Sequence, residues 1–131
     1  MNLLGLLLST AFIPSSFASS MPKKCVGRVL DPSNNNAVIE EVVLKSFPGD
    51  DGMQMGEAAY GPGFSFQVDS HPNAPTNYRI DRMNVTDITI AILSINGTLV
   101  GSSYLHVPTT VHDANGNSKK VSLTLTCDNK N

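Results

Sequence analysis

The chain has 131 residues, 15% of them charged and 40% hydrophobic, with no Trp, two Cys and a formal net charge of −2. That length predicts one domain. The small acidic charge argues against a nucleic-acid partner, which selects a basic face, and the ordinary apolar fraction argues against disorder.

Met1 to Ala18 contains no charged side chain. An apolar run, Leu3 to Ile13, is broken by Pro14 and followed by Ser15–Ser16–Phe17–Ala18. Ser16 and Ala18 place small residues three and one before a cut, the pattern of a secretory signal peptide. Residues 1–18 are therefore expected to be a signal peptide and 19–131 the single secreted domain. Nothing after this segment reaches the roughly 18 continuous apolar residues of a membrane span.

In chain order, Val26 to Leu30 reads as the first strand, closed by the turn signals of Asp31–Pro32–Ser33–Asn34–Asn35–Asn36. Ala37 to Phe47 is rich in Val and Ile. Its Ile39, Val42, Val43 and Phe47 fit helical spacing too, but β-branched content favours a strand. Pro48 to Gly63 reads as a long loop with five glycines and two prolines. Loops of this length are often functional, and Met53, Met55 and Tyr60 stand where a plain linker would be polar. They mark a candidate binding loop, unless Met53 and Met55 fold back to plug the end of the core. Phe64, Phe66 and Val68 alternate with polar residues, predicting a half-buried strand.

Tyr78 to Val85 and Ile88 to Ile95 follow. In the second run the apolar face changes, which predicts either burial on both faces or a bulge. Asn96–Gly97 is the strongest hairpin signal, with Thr98 to Val107 as the returning strand. Val121, Leu123, Leu125 and Cys127 alternate with Ser122, Thr124 and Thr126 in the last strand. Asn84–Val85–Thr86 and Asn96–Gly97–Thr98 are N-glycosylation sequons, making Asn84 and Asn96 the candidate acceptors.

The pattern predicts an all-β fold: a small antiparallel β-sandwich or partly open barrel of 6–7 strands. In an oxidising compartment Cys25 and Cys127 are expected to form a disulfide stapling the two ends of the domain. Simple reversals through seven strands would leave these cysteines at opposite ends. A seven-residue strand is roughly 23 Å long, and a disulfide needs its Cα atoms within about 7 Å. The reading adopted is six chain directions, with Tyr78 to Ile95 as one long bent strand. A loop running the length of the domain, or a helix over Ala37 to Phe47, would also satisfy the cross-link.

No catalytic constellation emerges. Ser102 or Ser103 with His112 and Asp113 lacks a nucleophile elbow, and adjacent His and Asp do not orient each other by default. Asp113–Ala114–Asn115–Gly116–Asn117 opens like a calcium loop, but Ser118 and Thr124 stand where Gly and Glu are needed, so an Asn-Gly turn is expected. Glu40–Glu41 is not an acid/base pair, since strand neighbours face opposite ways. Lys23–Lys24 and Lys119–Lys120 read as solvated charge. Two distant cysteines make no zinc site. No catalytic residue, metal or cofactor is expected.

The leading expectation is a small secreted, non-catalytic binding module for an extracellular protein or glycan, with an effector-like role in host interaction as its extension. The alternative is a secreted structural protein that self-associates through sheet edges. A small hydrolase using His106 and His112 is third.

Overall fold

The computed structural model describes residues 21–83, 88–96 and 102–128. The signal segment and the sequon at Asn84 lie outside the described residues. Among the described residues nine strands are formed: β1 (Lys24–Asp31), β2 (Ala37–Val43), β3 (Lys45–Phe47), β4 (Asp50–Ala58), β5 (Phe64–Asp69), β6 (Thr76–Arg82), β7 (Ile88–Ile95), β8 (Ser102–His112) and β9 (Ser118–Asp128). They build two antiparallel sheets, in the orders β2-β1-β9-β8 and β3-β4-β5-β6-β7. The fold is the all-β antiparallel sandwich expected, with nine strands in place of six or seven.

Alternation builds the core. Val29 of β1 and Val121, Leu123 and Leu125 of β9 meet Phe64, Phe66 and Val68 of β5 and Tyr78 and Ile80 of β6, all at most 1% exposed. At the centre Gly27 lies against the Phe66 ring. A Cβ on Gly27 would fall 2.5 Å from Phe66 Cγ and Cδ2. The two sheets approach through a contact that only glycine permits.

Cys25 and Cys127 are directly opposite on β1 and β9, with Cα atoms 4.1 Å apart, and form the disulfide. The direction problem is solved at Leu44. β2 and β3 run on through this single residue, which leaves one sheet for the other while its N–H still donates to Cys25 O at 3.0 Å. Nine strands thus run in eight directions, and β1 and β9 end up antiparallel. Ala37 to Phe47 is strand, as its β-branched content favours, interrupted only at Leu44. Two expectations are corrected here. Tyr78 to Ile95 is not one bent strand but the antiparallel neighbours β6 and β7. The strands expected to pair about Asn96–Gly97 do not, because β7 and β8 lie in different sheets; residues 97–101 themselves lie outside the described residues. The chain's other Asn-Gly pair makes the hairpin: Asn115–Gly116 links β8 to β9, with Gly116 at φ +82°.

The changing face of β7 is a bulge. Ile80 pairs with Ala91 and Asp81 with Thr89, so Ile90 is the extra residue and the inward set shifts from even to odd positions. On this side of the sandwich Arg82 Nη2 donates to Thr109 Oγ1 and Thr110 O, both at 2.8 Å, tying the second sheet to β8. Burial pushes the Tyr78 hydroxyl above its ordinary pKa, with the Ser103 hydroxyl working against the shift.

The loop expected over Pro48 to Gly63 is mostly strand β4. Its inward positions explain why the sequence hides it. Gln54 is buried and donates Nε2–H to Pro22 O at 2.9 Å. Gly56 lies beneath Val42 and Leu44, where a Cβ would sit 3.2–3.3 Å from their side chains. Polar and side-chain-free inward residues erase the apolar alternation by which strands are read.

Candidate functional site

At the end of the sandwich remote from the disulfide, three turns enclose a cleft of about 530 Å³. Each wall is fixed by a carboxylate.

The first wall is the turn after β1. Asp31 caps a short 3-10 turn, Pro32–Asn34, and its Oδ1 accepts from Ser33 N at 3.0 Å and Ser33 Oγ at 2.6 Å. Its Oδ2 accepts from Lys119 Nζ at 3.0 Å. The Ser33 hydroxyl, then the Lys119 ammonium, hold the Asp31 carboxyl below the usual carboxylate range. The same contact holds Lys119 above the usual lysine value.

The second wall is the turn 59–63. Glu40 on β2 reaches across and accepts from Ala59 N at 3.0 Å and Tyr60 N at 2.9 Å. Gly63 N donates to Tyr60 O at 3.1 Å, closing the reversal. Gly61 takes φ +63°, which favours glycine, and a Cβ there would meet Val111 at 3.1 Å. The Tyr60 ring is thereby held half-buried against the core edge while lining the cleft.

The third wall is the hairpin between β8 and β9. Asp113 Oδ1 accepts from Asn115 N at 2.9 Å and Asn117 N at 2.8 Å, an Asx-type turn. The carboxylate that resembled the start of a calcium loop is thus engaged by backbone. Among the described residues no three His, Cys, Asp or Glu side chains are grouped to hold a metal ion. His112 Nδ1 lies 3.2 Å from Ser118 Oγ, both exposed on the cleft rim.

Of the three residues singled out in the sequence, only Tyr60 lines this cleft. Met53 and Met55 lie on β4, pointing away from the core and half-buried, rather than on a loop. Met55 borders a separate hollow of about 400 Å³ with Phe47 and Pro48. The serine–histidine set is not assembled. Ser103 pairs with Cys127 at the far end of β8, nine residues or about 30 Å from His112. His106 stacks on exposed Tyr104, ring centroids 6.2 Å apart, on the outer face of β8. His71 Nε2 lies 2.9 Å from Asp69 Oδ1, and His71 lines none of the hollows described. Asn96 is exposed just past β7, while the rest of its sequon lies outside the described residues.

Sequence reasoning missed Asp31, Glu40 and Lys119. Asp31–Pro32–Ser33 carries a legible capping signal. Nothing local distinguishes Glu40 or Lys119, since their partners are 19–20 and 88 residues away.

No family model, curated protein or solved structure matches the chain. Among the described residues no helix is long and apolar enough to cross a membrane.

Proposed function

We propose that the chain is a secreted, non-catalytic binding module whose partner, a glycan, is held in the end cleft. The observation that carries this reading is the cleft's composition. One aromatic ring, Tyr60, stands among hydroxyl, amide, imidazole and ammonium groups from Ser118, Asn117, His112 and Lys119. Tyrosine gives a rigid amphipathic surface to stack on, and the small polar groups give directional hydrogen bonds. The volume lies within the usual range for small-ligand sites. Export is supported by the leader-like segment and by the disulfide, a product of oxidising compartments. The carboxylates hold walls rather than face one another across the cleft, which supports binding over hydrolysis.

A protein partner is the second reading. It is favoured by the hollow beside Met55, where Phe47 is 44% exposed next to Pro48. Titration of the disulfide-bonded protein against an oligosaccharide panel separates the two. Tyr60→Ala is expected to weaken the best glycan by about five- to thirtyfold, the loss of one stacking ring being worth about 1–2 kcal/mol. Met55→Ala is expected to leave it unchanged. Loss with Met55→Ala and not with Tyr60→Ala would move the site to the Phe47 hollow.

A further inference from the structure

Four strands end the two sheets: β2 and β8 in one, β3 and β7 in the other. An edge strand presents unpaired N–H and C=O groups, and soluble proteins blunt such edges with charge, proline, brevity or bulges. Three of these edges carry such devices. β2 contains Glu40 and Glu41. β3 has only three residues, starts with Lys45 and is followed by Pro48. β8 carries Pro108 at its middle, whose nitrogen cannot donate.

β7 differs. Its sequence, Ile-Thr-Ile-Ala-Ile-Leu-Ser-Ile, contains no charge, no proline and no glycine. The bulge at Ile90 occupies its first half and leaves Ala91 to Ile95 in regular register with β6. Ile92 is 58% exposed on the outer face, and Ile88 is 52% exposed. Among the described residues nothing pairs with its outer side.

We infer that β7 is a self-association edge. The segment Ala91 to Ile95 of one copy pairs antiparallel with the same segment of a second copy about a two-fold axis, joining two five-stranded sheets into one of ten strands. The occupant is a second copy because an isologous contact needs a self-complementary strand, and this edge is one. An uncharged, β-branched run meets itself without burying an unpaired charge, and the two copies place Ile92 and Ser94 together on one face. β7 contributes no residue to the end cleft, so both clefts stay accessible in the dimer.

Analytical ultracentrifugation of the disulfide-bonded protein over a concentration series, paired with amide hydrogen exchange, tests this. The expected result is a monomer–dimer equilibrium in which exchange at Ala91 to Ile95 slows as concentration rises. Ile92→Lys is expected to raise the dimer dissociation constant by about tenfold or more, by removing both Ile92 contacts with the facing Ser94 and placing two ammonium groups diagonally across the axis on the same face. Ser94→Lys, on the same face, is the second variant should Ile92→Lys fail to fold. Val43→Lys, at an exposed position on β2, is expected to change nothing. A monomer across the whole series overturns the inference. So does a dimer that survives both β7 variants or leaves β7 exchange unaltered.

Discussion

Gly27 decides how closely the sheets of this sandwich meet. Cβ on residue 27 would overlap Phe66, a ring at 0% exposure with no room to retreat. Gly27→Ala is therefore expected to destabilise the protein by about 1–3 kcal/mol, the range for overpacking a filled core. Urea denaturation reads this directly. Combining it with Phe66→Leu should be less damaging than the sum of the two single changes, since each relieves the crowding the other feels. An unchanged midpoint for Gly27→Ala would mean that the sheets stand further apart at this point. The sequence does not announce this glycine: it stands between Val26 and Arg28 in a strand with no turn signal beside it, and its reason lies 39 residues away on the other sheet.

At the scale of elements, strands with apolar alternation were legible and strands without it were not. Phe64 to Val68 and Val121 to Cys127 stand where their alternation places them. β4 was hidden, because Gln54 and Gly56 occupy its inward positions. The shift of face in β7 was legible as either a bulge or burial on both faces, and the register with β6 decides for the bulge, since a one-residue insertion reverses the inward set. Pairing was not legible, because an Asn-Gly turn says that the chain reverses and not which sheet receives it. Of the cleft, Tyr60 could be picked out locally, whereas its anchor Glu40 could not. The cleft's first turn makes a pH prediction. Asp31 is held low, so its contribution is present above about pH 4 and lost as pH falls through its folded value. Lys119 is held high, so its contribution is present below about pH 10.4 and lost as pH rises through its folded value. The pair is therefore intact across the neutral range. NMR titration of the Asp31 carboxyl should show its pKa rising in Ser33→Ala and in Lys119→Met. No rise in either variant would contradict the cap geometry.

For the whole molecule, the disulfide closes the circuit from first strand to last, joining cysteines 102 positions apart in the chain. On the chain-entropy view such a cross-link is worth about 4–5 kcal/mol, against a total of about 5–15 kcal/mol for a typical domain. The double substitution Cys25→Ser/Cys127→Ser should therefore remove a large share of stability, readable in the denaturation midpoint. A loss below about 1 kcal/mol would mean that β1–β9 pairing alone holds the ends. The cross-link and the cleft occupy opposite ends of the sandwich, so a folded variant is expected to keep its ligand.

That separation makes the cleft testable in place. The most direct measurement is an NMR titration of isotope-labelled, disulfide-bonded protein with the tightest member of the oligosaccharide panel. Shifts are expected at Tyr60, Gly61, His112, Asn117, Ser118 and Lys119, with Cys25, Cys127 and the outer faces of both sheets silent. Shifts centred on Phe47 and Met55 or on Tyr104 and His106, or no binding anywhere in the panel, would contradict this expectation.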